Sequence, residues 1–89
     1  MMRNPKYTKE EAVALVEKCY DSGEPIFIIQ SKDRISWEIV KEYAEKLKNA
    51  SGPEHPEKPS YKLAEDAELV AKDMLTWQLE NQEKVKLPD

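Results

Sequence analysis

The chain contains one cysteine and one histidine, Cys19 and His55, which are the residue types of a thiol nucleophile and its base. Thiol catalysis needs the base within hydrogen-bond reach and a third group that orients it. The spacing indicates no such arrangement, because Cys19 lies on the expected apolar face of a helix, where a small apolar side chain is normal. We therefore interpret Cys19 as a core residue and predict no catalytic residue.

His55 also lies between Glu54 and Glu57, so an imidazole–carboxylate metal site is a second candidate. Structural zinc sites use four ligands, mostly Cys and His, and this chain has one residue of each type. Carboxylate-bridged sites in helical bundles use Glu-x-x-His, which the sequence does not contain. We interpret these residues as solvated loop charge. The sequence predicts neither a metal ligand nor a cofactor.

The two tryptophans are candidates for a binding platform. Trp77 continues an apolar stripe at helical spacing, which favours a place in the core. Trp37 lies one position away from the nearest stripe and follows the polar stretch 30–34. Partly buried tryptophans are favoured both at the edge of a core and in protein interfaces. Both interpretations of Trp37 stay open.

Acidic residues outnumber basic ones, 18 to 14, and the net charge is −4. A phosphate-binding protein normally shows a basic excess, so nucleic-acid binding is not favoured. The negative excess lies in residues 35–89, and its densest part is most simply the solvated face of a helix. That part is Glu65, Asp66, Glu68 and Asp73, for which a divalent cation or a basic partner is the alternative. The excess over residues 35–89 also leaves open a role as an acidic inhibitor of a nucleic-acid-binding protein.

The element that most directly implies a partner is an apolar run, Ile26-Phe27-Ile28-Ile29. It predicts a β-strand over residues 26–30 that is apolar on both faces and must hydrogen-bond to another strand. The chain offers no second strand of comparable quality. We therefore expect a homodimer in which two copies of this strand pair antiparallel. Folding back of the alternating tail Val85-Lys86-Leu87 onto the same strand is the competing hypothesis.

Helix signals surround this run. Thr8 and Glu11 have the form of a capping box, and Gly23 followed by Pro25 is a typical helix stop. The spacing predicts a first helix over residues 9–22. Its apolar positions are Ala12, Val13, Leu15, Val16, Cys19 and Tyr20.

A second helix could begin after Asp33 or after Ser36. The flanking pair Ile35 and Val40 has the spacing of a hydrophobic staple around Ser36, so we predict Ser36 as the cap and a helix over residues 37–50. Its buried stripe is predicted to be Ile39, Val40, Tyr43, Ala44 and Leu47.

Residues 52–60 contain three of the six prolines and are predicted to form a stiff connector. Ser60 is then predicted to cap a long helix over residues 61–83. Leu75 and Leu79 lie on a different face of it from the main stripe, so this helix is expected to meet more than one neighbour. The main stripe is Leu63, Ala67, Val70, Met74 and Trp77.

These elements indicate a mainly α (α+β) fold, with one small domain over residues 1–89 and three apolar stripes that converge on one core. No stretch reaches the ~20 apolar residues that span a bilayer, and the N-terminus does not have the form of a signal peptide. A single cysteine fits a reducing compartment, so we expect a cytoplasmic protein that does not bind membranes.

From about residue 24 onward the chain resembles a group of small, uncharacterised bacterial and prophage-associated proteins. It departs from them at Ser36-Trp37, where a small residue followed by proline is typical. The resemblance implies a self-contained small domain of phage or bacterial origin and assigns no active residue. It rests on the apolar strand with Asp33 after it, Val40, Tyr43-Ala44, the series Ala64, Ala67, Ala71, then Met74, Trp77 and Pro88-Asp89.

The sequence therefore predicts a non-catalytic interaction or assembly module, most simply a homodimer, with a further protein partner left open. A small enzyme with an unrecognised site is the alternative. The candidate interface residues are Ile26, Phe27, Ile28, Ile29, Trp37, Leu75 and Leu79.

Overall fold

A computed structural model describes residues 7–87, and its regular structure is helical. Helix α1 spans Lys9–Ser22, α2 spans Ser36–Ser51 and α3 spans Pro59–Glu80, after which Gln82–Lys84 form one 3₁₀ turn. The prediction of a mainly helical chain with three helices is confirmed. Pro88-Asp89 lie outside the described residues.

Helix α1 begins and ends as its sequence predicts. The Glu11 backbone N–H donates to Thr8 Oγ1 at 3.2 Å, and the Thr8 N–H donates to Glu11 Oε1 at 2.9 Å, which completes the capping box. Gly23 has φ +75° and closes the helix in the left-handed conformation that a residue without Cβ adopts most easily.

The predicted cap of α2 is wrong. Ser36 is the first helical residue and is completely buried, and its hydroxyl donates to the Ser31 carbonyl at 3.3 Å. The turn before the helix is instead held by Asp33, whose Oδ1 accepts from the Ile35 N–H at 3.1 Å. Ser36 does not cap because its side chain points into the molecule and secures the preceding loop.

The predicted cap of α3 is also wrong. The helix begins at Pro59, where the missing N–H of proline leaves no helical bond unmade. Ser60 lies inside the first turn, and its Oγ accepts from Ser51 Oγ at 2.6 Å, which joins the end of α2 to the start of α3. The regular helix ends at Glu80, three residues before the predicted end, because residues 82–84 tighten into the 3₁₀ turn.

Helices α2 and α3 pack against each other as an antiparallel hairpin with small residues at their contact. Ala44 of α2 and Ala64 of α3 are completely buried, and Ala67, Ala71 and Met74 continue the buried line along α3. Alanine lets two helix backbones approach closely, so the larger apolar residues are moved to the flanks of the contact. The predicted α3 stripe is therefore only partly right: Ala67 and Met74 are buried, whereas Leu63, Val70 and Trp77 are half-buried.

A buried glutamine secures the open end of this hairpin. Gln78 Nε2 donates to the carbonyl oxygens of Ser31 and Asp33, both at 2.9 Å, and lies 3.3 Å from Ser36 Oγ. A third carbonyl, that of Arg34, lies at 3.4 Å. One side chain of α3 thus holds the whole turn that precedes α2.

The predicted strand over residues 26–30 does not form. Within residues 7–87 the one β-bridge is parallel and joins Asp33 to Lys86. The Arg34 N–H donates to the Lys86 carbonyl and the Lys86 N–H to the Lys32 carbonyl, each at 3.0 Å. The C-terminal tail does fold back, but onto residues 32–34, because the 3₁₀ turn delivers it there. The Gln30 carbonyl accepts from the Asp33 N–H at 3.0 Å, whereas residues 26–29 make no backbone hydrogen bond with another described residue.

The expectation that three stripes converge on one core is not met. Across the described part of the chain, no Cα of α1 lies within 8 Å of a Cα of α2 or α3. The radius of gyration is 14.3 Å, compared with roughly 12 Å for a compact domain of this length. Helix α1 and the segment after it extend away from the hairpin, and their apolar residues are left uncovered.

Truncation after Lys84 is expected to lower the free energy of unfolding of the hairpin by about 1–2 kcal/mol, because it removes both hydrogen bonds of the bridge and half-buried Val85. Urea denaturation followed by circular dichroism measures the change. Lys86→Ala keeps the backbone bonds and is the matched control, with an expected change within about 0.5 kcal/mol. A truncated chain as stable as the full chain would show that the bridge contributes nothing.

Candidate functional site

The apolar segment, residues 26–29, is the most exposed of the sequence-predicted interface elements. Phe27 is 85% exposed and Ile28 64%, Ile26 is also exposed, and Ile29 is half-buried. None of these four residues takes part in a hydrogen bond with another described residue. Large apolar side chains and free backbone groups therefore lie side by side.

The segment is not helical for local reasons. Gly23 ends α1, and Pro25 fixes its own φ and disfavours a helical conformation at Glu24. Residues 26–29 form neither a helix nor a strand, although their branched and aromatic side chains are types that suit a strand. The order of residues thus leaves apolar side chains exposed, and no described residue pairs with their backbone.

Trp37 and Leu75 come together on one flank of the hairpin, as neighbours across α2 and α3. They line a cavity of about 300 Å³ together with Ala71 and four charged residues. Trp37 is half-buried, so it is both part of the packing and reachable from solvent. The charged residues at this cavity are Lys41, Glu45, Glu68 and Lys72.

The same flank carries an ion pair that sequence reasoning missed. Lys48 of α2 pairs with Glu68 of α3, and its Nζ lies 5.5 Å from the centre of the Tyr61 ring. The hydrogen bond to Glu68 raises the pKa of Lys48. The pair joins two helices, so spacing within one helix could not reveal it. It closes one end of the Trp37 flank.

Leu79 is 63% exposed and lies away from Trp37. With Leu75 it borders a shallow depression that also includes Arg34 and Val85. The predicted interface residues therefore form two separate surfaces, the apolar segment and the Trp37–Leu75–Leu79 flank.

A further apolar surface was predicted to be core. We call it the hairpin face; it lies on the side of the hairpin opposite the Trp37 flank. Ile35, Ile39 and Tyr43 of this surface are exposed, and Tyr43 reaches 52%. The prediction failed because Ala44, not Tyr43 or Ile39, meets α3. The residues of the hairpin face are Ile35, Ile39, Tyr43, Leu63, Val70 and Trp77.

Cys19 and His55, the two residues whose side chains could take part in catalysis, contact different carboxylates. Cys19 Sγ donates to Glu24 Oε2 at 3.4 Å, and burial, followed by the Glu24 carboxylate, raises the pKa of this thiol. His55 lies 3.3 Å from Glu57 and 3.6 Å from Glu54. Nothing in this geometry favours a thiolate, since both effects on Cys19 stabilise its protonated form.

Residues 7–87 bring no three His, Cys, Asp or Glu side chains into a group that could hold a metal ion. In the same range, no helix combines the length and apolarity that crossing a membrane would require.

No protein-family model, curated protein or solved structure matches this chain.

Proposed function

We propose that this protein is a non-catalytic assembly module that forms a homodimer through residues 26–29. The observation that carries the proposal is a largely exposed apolar segment whose four residues make no hydrogen bond with another described residue. Unpaired backbone groups beside apolar side chains can pair with the backbone of another chain. A twofold axis between Phe27 and Ile28 would pair the two copies antiparallel, so that each satisfies the backbone of the other.

The side-chain chemistry supports binding over catalysis. Burial, followed by the Glu24 carboxylate, raises the pKa of Cys19, and its thiol donates to Glu24 and not to an imidazole. The depression that borders Phe27 and Ile28 contains Asp33 and two lysines, Lys32 and Lys86, and it does not include His55. Hydrophobic association therefore describes this surface better than proton transfer does.

The same reasoning gives a setting. A free Cys19 suits a reducing compartment, so we place the dimer in the cytoplasm. The origin we propose is bacterial or phage, from the resemblance of the strand, Tyr43-Ala44 and the alanine series. The net charge of −4 does not favour nucleic acid as a partner.

Ile28→Lys is expected to raise the dissociation constant of the dimer about 100-fold, since it places an unpaired charge in a contact that excludes water; this equals about 2.8 kcal/mol. Light scattering and sedimentation from micromolar to millimolar concentration measure the change. The charge-matched control is Ala14→Lys, at an exposed position on the polar side of α1, and it should associate like the unaltered chain.

An unaltered chain that remains a monomer at millimolar concentration would refute the proposed dimer. A dimer that Ile28→Lys leaves intact would move the interface away from residues 26–29. Circular dichroism accompanies each variant, because the hairpin does not depend on Ile28 and should keep its helical signal.

A further inference from the structure

Two apolar surfaces of this chain are exposed and are not covered by each other. The first is the α1 face, formed by Ala12, Val13, Leu15, Val16, Cys19 and Tyr20, of which only Cys19 is buried and Val16 half-buried. The second is the hairpin face. An isolated helix of 14 residues is marginal in water, so α1 needs a surface to pack on.

The position of the hairpin face follows from the contacts on the other flank. Lys48 with Glu68, and Trp37 with Leu75, fix one side of the α2–α3 contact. Ala44 marks its centre. Residue 43 lies about 100° and residue 39 about 140° around α2 from this centre in the opposite sense, and residues 63, 70 and 77 lie on the matching side of α3. Tyr43 and the α3 row are therefore on the same side of the hairpin.

The accessible surface of the chain exceeds that of a compact monomer by more than one partner's share of a standard interface. The accessible surface of the chain is 6994 Å², compared with roughly 5,400 Å² for a compact monomer of its mass. The surplus of roughly 1,600 Å² is about twice what one partner contributes to a standard interface, and it falls in the range of obligate homodimers when both copies are counted. Pairing of four residues accounts for only part of it.

Strand pairing also determines where α1 would go. Antiparallel pairing about a point between Phe27 and Ile28 places residue 24 of one copy opposite residue 31 of the other. The end of α1 then lies beside the start of the other copy's α2, where the hairpin face begins at Ile35. Helix α1 is about 21 Å long and α2 about 24 Å, so the two match in length.

We infer that α1 of each copy packs across the hairpin face of the other copy, so that each three-helix unit is completed in trans. The occupant of the hairpin face is a second copy of this chain, and the inference rests on the proposed dimer. Val16 and Cys19 occupy the middle of the contact, with Tyr43 and Trp77 beneath them. The open arrangement of the single chain is then one half of an interlocked assembly.

Mixing two variants tests this inference. Both carry Trp37→Phe, so that Trp77 alone reports on the hairpin face; one carries Val16→Lys and the other Tyr43→Lys. Each variant alone is expected to lose protection of Trp77 from acrylamide quenching, and its dimer dissociation constant should rise about tenfold. Ala14→Lys is the control for the first and should keep full protection. Tyr43 is exposed in the single chain, so its replacement leaves the hairpin folded.

The mixture decides between packing in trans and packing within one chain. A heterodimer combines an unaltered α1 with an unaltered hairpin face at one of its two contacts, so mixing should restore protection to up to half of the Trp77 side chains. Protection that is lost in both variants and not restored by mixing would show α1 packed on its own hairpin and overturn the inference. Equal quenching in all dimers would overturn it as well while the proposed dimer stands. An unaltered chain that stays monomeric would remove the proposed function itself.

Discussion

Replacement of Gln78 by glutamate is expected to unfold the hairpin at neutral pH. The Nε2 group of Gln78 faces three backbone carbonyls and one hydroxyl, all acceptor oxygens within 3.4 Å. A carboxylate at this place would meet oxygen atoms where the amide now donates hydrogen bonds. Burial of an unpaired charge against acceptors costs roughly 3–5 kcal/mol, compared with about 4–13 kcal/mol for the total stability expected of a chain of this length.

Gln78→Met is the matched control, because it keeps the approximate shape of the side chain, removes the amide and introduces no charge. It removes the two hydrogen bonds to the Ser31 and Asp33 carbonyls, which keep their bonds from the Ser36 hydroxyl and the Ser36 N–H, and should cost about 1–3 kcal/mol. Urea denaturation at pH 7 compares the two variants. The glutamate variant should recover stability in acid, where the protonated carboxyl again offers a donor. Equal stability of Gln78→Glu and the unaltered chain at pH 7 would show that the amide does not hold the turn.

The parts of the fold that sequence predicted correctly are those that neighbouring residues determine. The Thr8–Glu11 capping box and the glycine at position 23 act within one turn of the chain, so α1 was predicted with its exact bounds. The ion pair of Glu42 and Lys46, at 3.9 Å, is local in the same way, because residues four apart are neighbours on a helix surface. Each of these features needs no knowledge of the rest of the molecule.

The parts that sequence reasoning missed depend on contacts between elements. Serine is a residue type that commonly caps helices. Ser36 and Ser60 instead each form a hydrogen bond that joins two segments, and a hydroxyl in such a contact is not free to cap. The stripe on α3 could be read in two ways, since alanines and larger residues both recur at spacings of three and four. The close approach of α2 to α3 at Ala44 favours burial of the alanine line. Which α3 residues are buried therefore depends on both helices.

The candidate site divides in the same way. Composition alone identified residues 26–29 as an apolar segment, and the structure leaves Phe27 and Ile28 mostly exposed and Ile29 half-buried. Whether they form a strand depends on a second backbone, which the sequence of one chain does not contain. The hairpin face was missed because Ile39 and Tyr43 fit a core position by periodicity, while the helix expected to cover them does not pack on them in the single chain.

Ala44→Asp is the second replacement expected to prevent folding of the hairpin. Ala44 is completely buried at the point where α2 meets the alanine line of α3. A carboxylate there would be desolvated without a partner and would also force the two helices apart. The expected loss is roughly 4 kcal/mol or more, because a buried unpaired charge and overpacking act together.

Ala50→Asp introduces the same change near the exposed end of the same helix and should cost less than about 1 kcal/mol, the usual effect of an acidic residue in a last turn. Thermal unfolding followed by circular dichroism separates the two variants. If Ala44→Asp unfolded at the same temperature as Ala50→Asp, the close contact of α2 with α3 would be wrong. The hydrogen bonds of Gln78 and the hairpin face both depend on that contact, since each combines residues of α3 with residues of α2 or of the turn before it.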